Sequence, residues 1–465
     1  VTNQVRRLLR MSNPSVGALF TGVQLEFTAA AIAARVRSGV LSPIDAVEGA
    51  LSRISERDPE LDSFVIVRGE QARAEAAALA GRPDLSALPL AGVPIAIKDN
   101  IPIVGHPLGN GSATTVAEAS TGDHPVLDRL RRAGAVPVAL TRLSELCVWP
   151  STDSHDSIVK NPWNHELTAG GSSGGAGASV AAGMVPVAHG SDCLGSIRIP
   201  AAACGLVGIK PGSGLVPREL GENWFGMAEN GPLTTTVEDA ALLLSVMADR
   251  PELAEPADPG RLRVAVAAGS PSPLTPVDRH WKEGAERTAR VLGDAGHTVT
   301  AAKLPYPKNP IPLVSRWTAG TAAYAEGLDH TLLQARTRTH IAVGHAMRRL
   351  VRPGQVDKME AAMRAFFADF DVVLTPTLAR PPMEAHGWSD RSWPSNVLAA
   401  VRFAPFTPVW NLVGWPAVSV PVGMHPESGT PLGVQIAAPP GGEARILAVA
   451  AQLEALQPWP KVAVM

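Results

Sequence analysis

Apolar positions along the chain fall into short runs divided by Gly, Pro and Asn/Asp clusters, and the spacing within the runs switches between helical and extended patterns. Between residues 27 and 79, Ile32, Val36 and Val40 recur at helix spacing. Gly39 marks a stop, and Ser42-Pro43, with Asp45 three positions after the serine, restarts a helix whose apolar stripe is Ile44, Val47, Leu51 and Ile54. Residues 89–97 form a compact apolar run bounded by proline and by Asp99-Asn100, which predicts a buried strand ending at Lys98.

Downstream, the pattern repeats as pairs. A helix over 126–132 leads through Ala133-Gly134 into a strand over 136–140, and a second helix–strand pair covers 173–187. Beyond Gly231 the pattern predicts helices over 237–248 and 281–292, and strands over 262–267, 372–374, 417–420 and 432–436. Alternation of this kind implies an α/β fold, a large central mixed sheet covered by helices on both faces. The Pro-, Glu- and Asp-rich stretch 251–259 is the one linker-like segment and reads as a surface loop within a single catalytic unit over 27–465. Residues 1–26 read as a frayed extension, in which Arg6, Arg7 and Arg10 precede an apolar stretch broken by Asn13, Pro14 and Ser15, unlike a secretory leader. Met11 is an alternative start to Val1.

Composition narrows the function classes. Hydrophobic residues make up 45% and charged residues 18% of 465 positions, with a net charge of -2, so neither wholesale disorder nor a nucleic-acid surface is expected. No run offers the roughly 18 apolar residues of a membrane span. Cys147, Cys193 and Cys204 are odd in number and lack paired spacing, which argues against a disulfide framework or a cysteine zinc site and for a reducing, cytoplasmic setting. No H-E-x-x-H pattern occurs among 12 histidines, and His155, His165 and His189 read as loop or packing residues; neither metal nor cofactor is expected.

The chemistry-bearing segment is Gly170-Gly171-Ser172-Ser173-Gly174-Gly175-Ala176-Gly177, followed by His189-Gly190-Ser191-Asp192-Cys193-Leu194-Gly195-Ser196-Ile197-Arg198. Glycines let backbone approach a ligand and let successive N–H groups converge on an oxyanion. Alone, the first cluster would read as a linker or helix entry, and it lacks the Gly-Lys-Ser/Thr ending of a phosphate loop. With Pro94-Ile95-Ala96-Ile97-Lys98-Asp99-Asn100, Lys160-Asn161-Pro162-Trp163-Asn164, Gly205-Leu206-Val207-Gly208 and Asn411-Leu412-Val413-Gly414, it resembles the amidase-signature family over nearly the whole chain from Phe27, most weakly between 251 and 371.

That resemblance implies a triad of Ser196 as nucleophile, Ser172 as a relay preceded by a cis peptide bond, and Lys98 as base. It also implies an oxyanion hole of the N–H groups of Cys193, Leu194, Gly195 and Ser196. The residue types suit the chemistry: a serine hydroxyl needs a base, and a lysine serves as one only as the neutral amine, a form that burial favours. The implied reaction is hydrolysis of a small-molecule carboxamide through an acyl-enzyme. Asp192 and Arg198, flanking Ser196, read as a structural ion pair. Leu146, Cys147, Val148 and Trp149 read as one wall of the acyl pocket and Trp410 as the opposing wall.

Two departures from the family pattern bear on substrate. Cys193-Leu194 stands where the family has Thr-Gly, and the loop 151–160 lacks the usual Asn-Pro-aromatic-Gly character. Two other functions compete: the glutaminase-like subunit of a tRNA-dependent amidotransferase, disfavoured by Tyr324 being one of only two tyrosines, and a catalytically silent binding scaffold, for which Leu194 speaks. A homodimer is left open.

Overall fold

The computed structural model describes residues 27–114, 118–154, 156–218, 223–271 and 275–464. The extension 1–26 and His155 therefore lie outside the described residues. The first helix among the described residues, Ala29–Arg37, is capped by Thr28, and Ser42 caps the next, Pro43–Leu61, with Pro43 in its first turn. The Asp239 carboxylate accepts from the N–H groups of Ala29 and Ala30 at 2.8 and 2.9 Å, tying the first helix to the helix Val237–Ala248. Val47, Leu51 and Ile54 are buried as expected, but Ile44 is exposed and Val40 lies beyond the first helix in solvent. Gly39, with φ +75°, ends that helix before Val40 can join its stripe.

Thirteen strands follow among the described residues: β1 (Phe64–Val67), β2 (Pro94–Lys98), β3 (Val136–Thr141), β4 (Lys160–Asn161), β5 (Asn164–Thr168), β6 (Val187–Asp192), β7 (Val207–Lys210), β8 (Glu229–Thr234), β9 (Arg263–Val266), β10 (Thr298–Ala301), β11 (Val372–Pro376), β12 (Ala417–Met424) and β13 (Pro431–Ala437). Eleven form one sheet in the order β1-β3-β2-β6-β8-β7-β12-β13-β11-β9-β10, while β4 and β5 pair separately. The sheet is mixed: β3, β2 and β6 run parallel, β6 through β11 are joined antiparallel, and β11, β9 and β10 are parallel again. Every residue of β2, β3, β6, β7, β8, β11 and β13 is buried, so both faces of the sheet are covered. None of the described helices is long and apolar enough to cross a membrane.

Placement of the site follows from this order. β2 and β6 are neighbours, so the end of β2 brings Lys98 beside the turn that follows β6 and carries Ser196. The serine-rich turn enters the buried helix Gly174–Ala181, where a Cβ on Gly175 would stand 2.3 Å from the Ser63 carbonyl oxygen. Only glycine allows that approach.

Candidate active site

Lys98 is fully buried and its Nζ has three acceptors, Ser172 Oγ at 2.7 Å, Ser191 Oγ at 2.9 Å and the Ser191 carbonyl at 3.4 Å. Asn100 Nδ2 donates to the same Ser191 hydroxyl at 3.1 Å. The peptide bond between Gly171 and Ser172 is cis. The Ser172 carbonyl accepts from Ser144 N–H and from the Thr152 hydroxyl, each at 3.2 Å, and Gly174 N–H donates to Thr152 Oγ1 at 3.0 Å. Thr152 belongs to the divergent loop 151–160, which thus braces Ser172 directly. Ser191 and Thr152 had no assigned role in the sequence reading; polar residues at a strand end and in a motif-flanking loop are the signal that would have found them.

Ser196 is held from the other side. Ser173 N–H donates to the Ser196 carbonyl at 3.3 Å, linking the two serine turns, and the Ser196 side chain opens onto a cavity. Behind the turn, Asp192 and Arg198 form a fully buried pair through two contacts of 2.9 Å. Arg198 also donates to the Thr407 carbonyl at 2.9 Å, Gln435 Oε1 at 2.7 Å and Asn411 Oδ1 at 2.6 Å, so all five of its N–H donors are used. Burial pushes the Asp192 carboxyl up, but the Arg198 charge and hydrogen bonds outweigh burial and hold it well below the usual carboxylate range. The pair is the brace expected from sequence. Thr407, Asn411 and Gln435, which complete it from distant segments, were not legible.

In the turn that precedes Ser196, one of the four N–H groups expected to face an oxyanion already has an acceptor. Gly195 N–H donates to Asp192 Oδ1 at 2.6 Å and so is committed to the brace, leaving it unavailable to an oxyanion. The N–H groups of Leu194 and Ser196 have no acceptor among the described residues. Gly195 has φ +129°, and a Cβ there would stand 2.3 Å from Thr407 Oγ1, so this position requires glycine. Cys193 is buried in the same turn. His189, fully buried on β6, bonds Asn230 Oδ1 at 3.0 Å, and burial lowers its pKa to about 3, which makes it a neutral packing residue.

The cavity beside Ser196 has a volume of about 300 Å³. Val148 and Trp149 line it together with Leu194, Leu412, Trp317 and Trp393. The other three residues expected in the walls, Leu146, Cys147 and Trp410, are not in the lining. Leu146 and Cys147 adopt left-handed backbone angles (φ 50° and 60°) and are absent from the lining; Leu146 is turned into the apolar cluster behind it. Trp410 packs against Phe367 and Trp415 in a different cluster. On the short helix Pro408–Leu412, Val409 and Leu412 are three apart and share the cavity face, which turns Trp410 away.

A sheet whose strand ends and glycine turns gather a buried lysine and two serines beside an apolar cavity belongs here to a hydrolase acting on carbon–nitrogen bonds. The family model described as Amidase matches residues 45–447, and the chain belongs to that family. AmiB2 of Mycobacterium tuberculosis, named as an amidase by inference, is 39% identical over 453 residues, covering 94% of this chain and 97% of that protein. Among solved structures, the substrate complex of 6-aminohexanoate cyclic dimer hydrolase superposes with a TM-score of 0.84 at 29% identity, covering 93% of this chain and 97% of that one. A bacterial aryl acylamidase of the amidase-signature family gives a TM-score of 0.78 at 28% identity over 93% and 96% of the two chains.

Proposed function

We propose that this amidase cleaves an uncharged carboxamide through an acyl-enzyme on Ser196, with Ser172 as proton relay and Lys98 as base, and that residues 27–465 act as one catalytic unit. The observation that carries the reading is the buried 2.7 Å contact between Lys98 Nζ and Ser172 Oγ, set next to a serine that faces the cavity. In this reading Ser196 Oγ attacks the carbonyl carbon while its proton passes to Ser172, whose own proton passes to Lys98 in its amine form. The N–H groups of Leu194 and Ser196 face the developing oxyanion. Collapse of the tetrahedral intermediate breaks the C–N bond, and the leaving nitrogen takes the relayed proton. Water then attacks the ester by the same relay in reverse, releasing the acid and restoring the Ser196 hydroxyl.

The cavity lining supports an apolar acyl group. Among the described residues it carries no charged side chain. Free glutamine would bring an α-carboxylate and an α-ammonium into it without partners, a large desolvation penalty, so the ammonia-delivering subunit is the weaker reading. Turnover of a panel of primary and secondary amides, followed by ammonia and amine release, tests the proposal. Ser196→Ala and Lys98→Ala should each lose roughly a thousandfold or more in kcat with the fold retained. Parent-like turnover in either variant would refute the assigned role.

A further inference from the structure

Three of the tryptophans that line the cavity, Trp149, Trp317 and Trp393, come from segments far apart in sequence and converge on one buried side chain, His340. The His340 ring lies 4.5 Å from the Trp317 ring and 5.5 Å from the Trp149 ring, both edge-on, and 6.2 Å from that of Trp393. Trp149 and Trp317 meet in turn at 6.1 Å and 78°. Two of the indole N–H groups are fixed: Trp393 Nε1 donates to His340 Nδ1 at 3.0 Å, and Trp149 Nε1 donates to Thr337 Oγ1 at 3.2 Å.

The fixing residues lie on one helix, Ala335–Met347, which packs on both Ile311–Tyr324, the carrier of Trp317, and Trp393–Phe403. Arg336, from the same helix, sits 5.1 Å over the Trp149 ring. Its guanidinium is itself held, by Asp153 at 3.2 Å and by Asn396 Oδ1 at 2.9 Å. One helix face therefore sets the tilt of the indoles that the cavity presents. Burial lowers the His340 pKa to about 3, so its ring is neutral and its Nδ1 remains an acceptor for Trp393 across the range in which an enzyme is assayed.

We infer that this wall is a subsite for a flat aromatic acyl group, with Trp149, Trp317 and Trp393 as its contact surfaces and His340 as their positioning residue. The inference rests on the amidase reading and adds the chemical class of the acyl half. Its grounds are geometric. Indoles gain from edge-to-face and offset contact with another ring beyond the area they bury, whereas a saturated ring of the same outline gains only the burial. The remaining lining is largely proline and aliphatic, including Pro150, Pro310, Pro405 and Pro408, with Ser196 and the buried hydroxyl of Tyr306 as its polar groups. At about 300 Å³ the cavity is at the small end of ligand sites, suited to one or two rings.

The test compares 2-naphthamide with its decahydro counterpart, which has the same carbon skeleton without the π-system. Calorimetry on Ser196→Ala protein reads binding without turnover, and kcat/KM on the parent reads the reaction. Preference for the aromatic amide by roughly tenfold or more is expected in both. His340→Leu removes the acceptor and the edge contacts, and the preference should fall toward unity. His340→Gln, which retains an acceptor for Trp393, should restore part of the preference. Equal affinity for the two amides in Ser196→Ala protein overturns the aromatic subsite, as does an unaltered preference in a folded His340→Leu protein. Hydrolysis of neither amide, with the binding preference intact, would count against the amidase reading and leave the subsite standing.

Discussion

Around Lys98, Ser172 and Asp192, buried polar atoms are held by other polar atoms; around the cavity a short distance away, almost everything is held by apolar contact. The first region draws on strand ends and tight turns, with Ser191, Asn100 and Thr152 around Lys98 and Ser172 and Arg198 bonded through all five donors behind the turn that carries Ser196. The second draws on helices from the middle and end of the chain, whose indoles are aimed by Thr337 and His340. A hydrogen-bonded shell tolerates little change, because a removed partner leaves a buried polar group unsatisfied. A wall of apolar contacts can be reshaped at moderate cost.

The contrast is broken most severely at Arg198. Arg198→Met leaves Asp192 as an uncompensated buried charge and strips partners from Asn411 and Gln435, and breaking such a pair costs about 3–5 kcal/mol. A thermal or denaturant melt should show a large loss; stability within about 0.5 kcal/mol of the parent would mean that the brace is not what holds the nucleophile turn.

On the apolar side, Leu194 lines the cavity and packs against the Trp149 cluster, while its carbonyl accepts from Thr407 Oγ1 at 2.6 Å. Leu194→Gly enlarges the cavity beside Ser196 and should raise kcat/KM on bulkier amides relative to small ones by roughly several-fold. Its stability cost should be smaller than that of Arg198→Met, since the residue is only partly buried. An unchanged ranking of amides with a lowered melting temperature would make Leu194 purely structural.

The smallest effect concerns dryness of the polar shell. His189 titrates near 3 in the folded chain against about 6.5 when unfolded, so the unfolded state binds more protons between these values. Stability is therefore lost as pH falls from about 6.5 toward 3, by at most about 1.4 kcal/mol per unit from this group. Asp239, raised by burial to about 7, acts in the opposite sense as pH rises, so the comparison of variant with parent is the informative one. His189→Gln should flatten the decline in melting temperature between pH 6.5 and 4.5; parallel curves would show that His189 is not the group responsible.

The same division explains what could be read from the sequence. Lys98, Ser172 and Ser196 stand out because strand exits and glycine turns leave local signatures. The predicted alternation yields β2, β3, β9, β11, β12 and β13, with β2 starting at Pro94 rather than at residue 89; β6 runs over Val187–Asp192, beyond the pair expected over 173–187, and β7 and β10 were not foreseen. β8 was not foreseen, since Gly231-Pro232 is an unusual pair inside a strand; in the sheet it lies between β6 and β7, where a Cβ on Gly231 would stand 2.2 Å from the Ile209 carbonyl oxygen. β1, between two helices, is only four residues long. The cavity wall was legible only in part. Val148 and Trp149 stand upstream of the serine motif, just before Pro150, but Trp317, Trp393 and His340 are brought there by helix packing that no local spacing encodes. Trp410 was misplaced because one turn of helix decides which face a residue occupies.

The central claim is that Ser196 is the acylated nucleophile. Incubating the parent with an aryl fluorophosphonate and mapping the adduct by peptide mass spectrometry tests it most directly. One adduct is expected, on Ser196, absent from Ser196→Ala and slowed in Lys98→Ala. An adduct on Ser172 or Ser191 instead, or undiminished labelling of Ser196→Ala protein, would contradict it.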